Sequence, residues 1–386
     1  MKLHRNITDA ILNSLHEIFE ENKYADKVIE RVLKSNPKWG GRDRRFIAES
    51  VYEIVRWHRL LCTVSESKLN DFEKIFSAYC VMKGLSEDKN ISEKLEEAKV
   101  IRKIRESIPD WMDELGVKEI EEEKWEKEIH SLNEEAKVVL RTNTLKISKE
   151  ELQKKLKEEE IEAEASSIYA DALILNKRKN IFSSHAFKEG LFEVQDASSQ
   201  LVAPFLELKE GMRVIDACAG AGGKTLHIAA LMNNKGKIIA MDTEQWKLNE
   251  LKKRARRAGA SNIETRLIES SKTIKRLENS ADRLLLDVPC SGLGVLRRNP
   301  DAKWKLSLDF IEKVKILQQK ILNDCTIMLK KGGVMVYSTC SILPSENEKQ
   351  IEKFLSDKKD FELIEKKTIY PSEGFDGFFI ARIKRI

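Results

Sequence analysis

Up to about residue 135, apolar side chains recur every third or fourth position: Leu3, Ile7, Ile11, Leu15 and Ile18, then Phe46, Ile47, Val51, Ile54 and Val55, with Ser50 on the same face. That spacing predicts amphipathic helices packed as a bundle. From Val138 the texture changes. Val138-Val139-Leu140 reads as a strand, Ser148 with Glu151 three residues later predicts a capping box for a short helix, and residues 161–175 return to short extended segments. After Gly211 the runs Val214-Ile215, Ile238-Ile239-Ala240, Leu284-Leu285-Leu286 and Val334-Met335-Val336 alternate with helix-length polar stretches. Strands buried on both faces read this way, so a doubly wound, mostly parallel sheet is predicted. The expected organisation is a helical domain over residues 1–135, a small α/β connector over 136–195 and a Rossmann-like α/β domain over 196–386.

Charge adds an asymmetry that the total of +5 hides. Residues 1–140 hold 25 basic and 29 acidic side chains, a net of −4, and residues 141–386 hold 44 and 35, a net of +9. The second part therefore carries the basic excess a polyanion would meet. In the helical part Arg42, Arg44, Arg45, Arg56 and Arg59 form a local basic stretch, and the acidic run over residues 119–128 reads as a solvated helix face. No apolar run approaches the roughly 18 to 20 residues that span a bilayer, and the first thirty residues are charged throughout, so neither export nor membrane contact is expected. The six cysteines form no C-x-x-C pair and the six histidines are scattered, which predicts free thiols, no metal site and a reducing cytoplasm. Cys62, Cys80 and Cys325 read as small core hydrophobes.

The chemistry concentrates at strand ends. Asp216 closes the first strand of the third domain and runs into Ala217-Cys218-Ala219-Gly220-Ala221-Gly222-Gly223-Lys224-Thr225, whose glycines let backbone approach a ligand where a helix begins. A phosphate-binding P-loop competes for this stretch, since Gly223-Lys224-Thr225 ends like one. It fails at Cys218, where a P-loop requires glycine, and Asp216 would set a carboxylate near phosphate. Asp242, at the next strand end, is placed to accept hydrogen bonds from ribose hydroxyls, which favours a nucleoside cofactor. Two further strand ends carry Asp287-Val288-Pro289-Cys290-Ser291-Gly292-Leu293-Gly294 and Tyr337-Ser338-Thr339-Cys340-Ser341. Two thiols beyond neighbouring strands, one flanked by Pro and Gly, point to nucleophilic chemistry. Spacing alone does not order them.

These motifs resemble those of the Sun-type (RsmB-like) RNA 5-methylcytosine methyltransferases, and the resemblance covers nearly the whole chain. Residues 216–225 are similar to that family's first cofactor loop, with Ala221-Gly222-Gly223 in place of Pro-Gly-Gly. Asp242 is similar to its ribose-binding acid, and the Asp-Val-Pro-Cys-Ser and Thr-Cys-Ser stretches to its two cysteine motifs. Residues 194–200, 297–301 and 374–379 also resemble family segments. Residues 43–61 look like a NusB-like RNA-binding helical domain, and Leu140-Arg141-Thr142-Asn143 like the start of the family's connector. Where the family commonly carries an Asp beside the adenine, Glu269 is the nearest acid here.

The resemblance implies a class I methyltransferase domain that binds S-adenosyl-L-methionine through Cys218, Ala219, Gly220, Ala221, Gly222, Gly223, Lys224, Asp242, Glu269 and Asp287. It also implies a catalytic set of Cys340 as nucleophile, Cys290 in product release and Asp287 at the cytosine ring. Arg297, Arg298 and Lys224 are the expected RNA contacts, the protein working as a monomer on ribosomal RNA in the cytoplasm. Carbon 5 of cytosine is a poor nucleophile, so a thiolate must first add to carbon 6, and this requires a base presented outside its stack. Transfer RNA is the alternative substrate, and a catalytically silent RNA-binding assembly factor the alternative role.

Overall fold

The computed structural model describes residues 4–386, so Leu3 of the first helical pattern lies outside the described residues. Two compact units are present: residues 1–135 with 295–308, and residues 136–294 with 309–386.

The first unit is helical. Arg5–Phe19 buries Ile7, Ile11, Leu15 and Ile18, and Gly41–Arg56 buries Ile47, Ser50, Val51, Ile54 and Val55, in agreement with the spacing. Three of the arginines are used internally. Arg44 donates to the carbonyls of Leu33, Asn36 and Trp39, Arg59 to that of Ile108, and buried Arg56 pairs with Glu53. The acidic run is likewise paired, Glu122 with Arg102 and Glu126 with Arg105.

The division after residue 135 falls where the texture of the sequence changes, but the α/β part is not contiguous. Residues 295–308 pack in the helical unit, where Lys303 is fully buried. Its Nζ donates to the carbonyls of Arg56 and Glu106, both at 3.2 Å, to that of Ser107 at 3.3 Å and to Asn133 Oδ1 at 2.5 Å. Trp304 donates to the Val55 carbonyl at 2.7 Å.

In the second unit, β1 (Val139–Thr142), β2 (Ala163–Ala165), β3 (Ala172–Leu175) and β4 (Phe192–Val194) form an antiparallel sheet of order β2-β3-β1-β4. The capping box of Ser148 and Glu151 forms at the head of Lys149–Glu158. Seven further strands follow: β5 (Arg213–Asp216), β6 (Lys237–Asp242), β7 (Ile263–Leu267), β8 (Ala281–Asp287), β9 (Leu329–Thr339), β10 (Phe361–Ile369) and β11 (Phe378–Arg385). Their order is β10-β11-β9-β8-β5-β6-β7. Pairs among β5 to β9 are parallel, and β11 joins β9 and β10 antiparallel. The strand order reverses at β5, between β6 and β8, the place where open α/β sheets bind ligands.

The two sheets are tied by polar contacts. Buried Arg141 of β1 donates to Gln195 and to the Gly223 carbonyl, Asn143 Nδ2 donates to the carbonyls of Gly190 and Ala258, and Glu193 of β4 pairs with Arg254 and Arg257.

Candidate active site

The turn after β5 is built on a glycine whose backbone and surroundings disfavour any side chain. Gly222 has φ +88°, and a Cβ there would lie 2.5 Å from Leu251 Cγ. The helix Gly223–Leu231 starts immediately beyond it. The turn is pinned from β6: Ala219 N–H donates to the Met241 carbonyl at 2.8 Å and Gly220 N–H to Asp242 Oδ2 at 2.9 Å, while the other oxygen of Asp242 accepts the Glu244 N–H. A cavity of about 320 Å³ opens over this turn.

Cys218, Ala219, Gly220, Ala221, Gly223, Lys224 and Asp287 line the cavity, so the structure brings together seven of the ten residues expected to hold the cofactor. Gly222 is buried behind the turn, Asp242 grips it from below, and Glu269 is exposed just past the end of β7. Sequence reasoning missed five lining residues: Val194, Gln195, Ser199, Asp216 and Arg254. Gln195 and Ser199 fall in a stretch already singled out by resemblance, and Asp216 ends the strand. Arg254 is one of several basic residues on the helix Gln245–Ala258 and carries no signal of its own.

The donor set suits a cationic nucleoside. Asp216 is fully buried, one of its oxygens accepts the Thr225 hydroxyl at 2.7 Å, and the other has no partner among the described residues. Burial lifts its carboxyl to about 7. An orphaned buried acceptor, turn backbone lining the cavity and a strand-end acid behind it match an amino-acid ammonium and a ribose better than a polyphosphate.

Parallel pairing of β8 and β9 sets the second part of the site. Asp287 stands opposite Ser338 in register, so the loops carrying Cys290 and Cys340 leave the sheet side by side. The two Sγ atoms are 3.2 Å apart. The neighbouring sulfur and then burial push the Cys290 thiol well above its ordinary range, so it holds its proton. Asp287 accepts Lys224 Nζ at 2.7 Å on one oxygen and the Ser338 hydroxyl at 2.8 Å on the other. Lys224 also lies 4.9 Å from the Phe378 ring centroid. One lysine thus links the turn after β5 to the acid that ends β8.

Two expected RNA contacts belong to the helical unit. Arg297 belongs to the helical unit, is 3% exposed and donates to the Ser131 carbonyl at 2.7 Å. A guanidinium so buried and already engaged does not offer itself to phosphate, which corrects the expectation for this residue. Arg298 is half-buried in the same segment. Among the described residues no group of His, Cys, Asp and Glu is arranged to hold a metal ion, and no helix is long and apolar enough to cross a membrane.

Residues 203–384 match the family model described as 16S rRNA methyltransferase RsmB/F, and residues 108–182 match that of the ferredoxin-like domain of RsmF/B-like methyltransferases. The chain is 34% identical to a probable ribosomal RNA small subunit methyltransferase B of Synechocystis, covering 96% of this chain and 97% of that one. It is 37% identical to the corresponding probable methyltransferase of Bacillus subtilis, over 64% and 60% of the two chains. The solved structure of a methyltransferase homolog protein from Pyrococcus horikoshii superposes on it with a TM-score of 0.65 at 29% identity, over 74% of this chain and 98% of that one.

Proposed function

The chain belongs to the RsmB/F family of S-adenosylmethionine-dependent ribosomal RNA methyltransferases, and from that premise we propose that it methylates carbon 5 of a cytosine in ribosomal RNA through a covalent cysteine adduct. The observation that carries this reading is the pair of thiols 3.2 Å apart on the loops that follow β8 and β9, the first of which starts at Asp287 in the lining of the cavity. Methyl transfer to oxygen or to an exocyclic nitrogen needs no sulfur nucleophile, whereas carbon 5 does.

S-adenosylmethionine, when bound, supplies an electrophilic methyl group. Residues 218–224 and Asp242 would hold it, with the free oxygen of Asp216 toward its cationic end, and Glu269 as the nearest acid past β7. In the proposed sequence the Cys340 thiolate forms a bond to carbon 6, which moves an electron pair onto carbon 5. Asp287 faces the ring and stabilises the charge that develops there. After carbon 5 has gained its methyl, a base takes the carbon 5 proton, the carbon 6 to sulfur bond breaks, and the thiolate leaves. Cys290 serves that last stage. Lys224 orients Asp287. Ribosomal RNA as substrate puts this work in the cytoplasm.

The decisive experiment separates the thiols. Cys340→Ala is expected to abolish methylation and form no adduct. Cys290→Ala is expected to accumulate a protein–RNA species that survives denaturing electrophoresis, and the double variant is not. Trapping by Cys340→Ala alone exchanges the roles, and full activity in both single variants rejects the mechanism. Bisulfite sequencing of ribosomal and transfer RNA from a deletion strain identifies the substrate.

A further inference from the structure

The residue after each thiol is a serine, and both serines reach one buried carboxylate. Glu346 lies fully buried in the turn between β9 and the helix Glu348–Asp357. The hydroxyls of Ser291 and Ser341 each donate to its Oε2 at 2.5 Å. Its Oε1 accepts the Ser291 N–H at 2.8 Å and Gln318 Nε2 at 3.1 Å. Gln318 donates also to the carbonyl of Pro289, the residue before Cys290. Each serine hydroxyl in turn accepts a backbone N–H from two residues further on, Leu293 at 3.3 Å and Leu343 at 3.2 Å. With an acceptor lone pair occupied in this way, the hydroxyl proton is directed at the carboxylate.

No cation pairs with Glu346 among the described residues. Its charge is offset by four neutral donors, two from Ser291 and one each from Ser341 and Gln318. A buried anion that loses such donors pays a large desolvation penalty, so any separation of the two cysteine loops is resisted at the carboxylate. The loops also touch through backbone. Gly294 N–H donates to the Cys340 carbonyl at 2.9 Å, and a Cβ on Gly294 would stand 2.8 Å from that same oxygen.

We propose that Glu346 is a positioning residue for the thiol chemistry, clamping the loops after β8 and β9 onto a single anion so that the Cys290 and Cys340 sulfurs stay within reach of one another. This rests on the cysteine mechanism proposed above. The clamp acts through Ser291 and Ser341, and Glu346 itself touches neither substrate nor cofactor.

The test reads thiol geometry and turnover separately. Diamide, a diazene dicarboxamide, takes one hydrogen from each of two adjacent thiols and becomes the hydrazine, leaving a disulfide that peptide mass mapping locates. The parent protein is expected to form the Cys290–Cys340 bond readily. Glu346→Gln is expected to slow that bond about 10-fold and to lower kcat about 100-fold, the scale of a misplacement near 1 Å, with KM for S-adenosylmethionine unchanged. Ser291→Ala with Ser341→Ala is expected to do the same.

A folded Glu346→Gln protein whose cross-linking and kcat stay at the parent's level overturns the proposal, even if its melting temperature falls, because a merely structural glutamate would behave in that way. Should Glu346→Gln fail to fold, the single serine variants, each lacking only one oxygen, decide by the same criterion. Cross-linking that depends on Glu346 in a protein with no cytosine methylation supports the clamp and rejects the mechanism of the preceding subsection.

Discussion

Asp216 combines full burial with an acceptor oxygen left without a partner among the described residues, and its carboxyl is lifted to about 7. In the unfolded chain the same group ionises near 4. Between those values the folded state binds more protons, so this group's contribution to stability is complete below about pH 4 and is lost as pH rises toward 7, by up to about 1.4 kcal/mol per pH unit. Asp216→Asn is expected to flatten that slope, read as urea midpoints across the window; an unchanged slope would assign the titration to another group. Asp242, by contrast, holds the Gly220 and Glu244 N–H groups. Asp242→Ala is expected to weaken S-adenosylmethionine binding by roughly 1.5 to 3 kcal/mol in calorimetry, the value of a hydrogen bond to a charged group. Strand-end acids and glycines were legible in the sequence because backbone geometry demands them. The burial of Arg297 was not, since two adjacent arginines look the same whether they face water or a carbonyl in a helical core.

At the level of elements, the site follows from two parallel pairings. β5 between β6 and β8 opens the glycine turn, and β8 beside β9 brings two loops into contact at their cysteines. The apolar runs that mark these strands are visible in the sequence because a strand covered on both faces has no polar alternation. The edge behaves differently: most of β10 is exposed, and its antiparallel pairing with β11 left no pattern that could be read. Glu346 was equally silent, one acid among several near a helix start, with partners 55 and 5 residues away. Gly222→Ala tests the turn as an element. Left-handed backbone together with the clash against Leu251 is expected to cost about 2 to 4 kcal/mol and to weaken cofactor binding. Chemical denaturation at equal cofactor concentrations measures both effects.

Across the whole molecule, the segment over residues 295–308 contributes a buried lysine and a tryptophan to the helical unit although it belongs in sequence to the α/β part. Domain boundaries read from texture assume that each unit is continuous, and nothing in the local periodicity of residues 295–308 announces a distant host. Lys303→Ala removes the donor shared by three carbonyls and Asn133. It is expected to destabilise the helical unit by about 3 kcal/mol or more, since buried acceptors are left unsatisfied. Hydrogen exchange resolves where the loss falls. Faster exchange confined to residues 309–386 would contradict the packing of this lysine.

That borrowed segment also sets a clock on biosynthesis. The helical residues emerge from the ribosome first, yet their last structural piece is not made until residue 308, so the unit waits for 173 further residues. At roughly 5 to 20 residues per second this is on the order of 10 to 35 s. During that interval the nascent helices lack Trp304, which donates to the Val55 carbonyl in the folded protein, and Lys303, which satisfies the carbonyls of Arg56, Glu106 and Ser107.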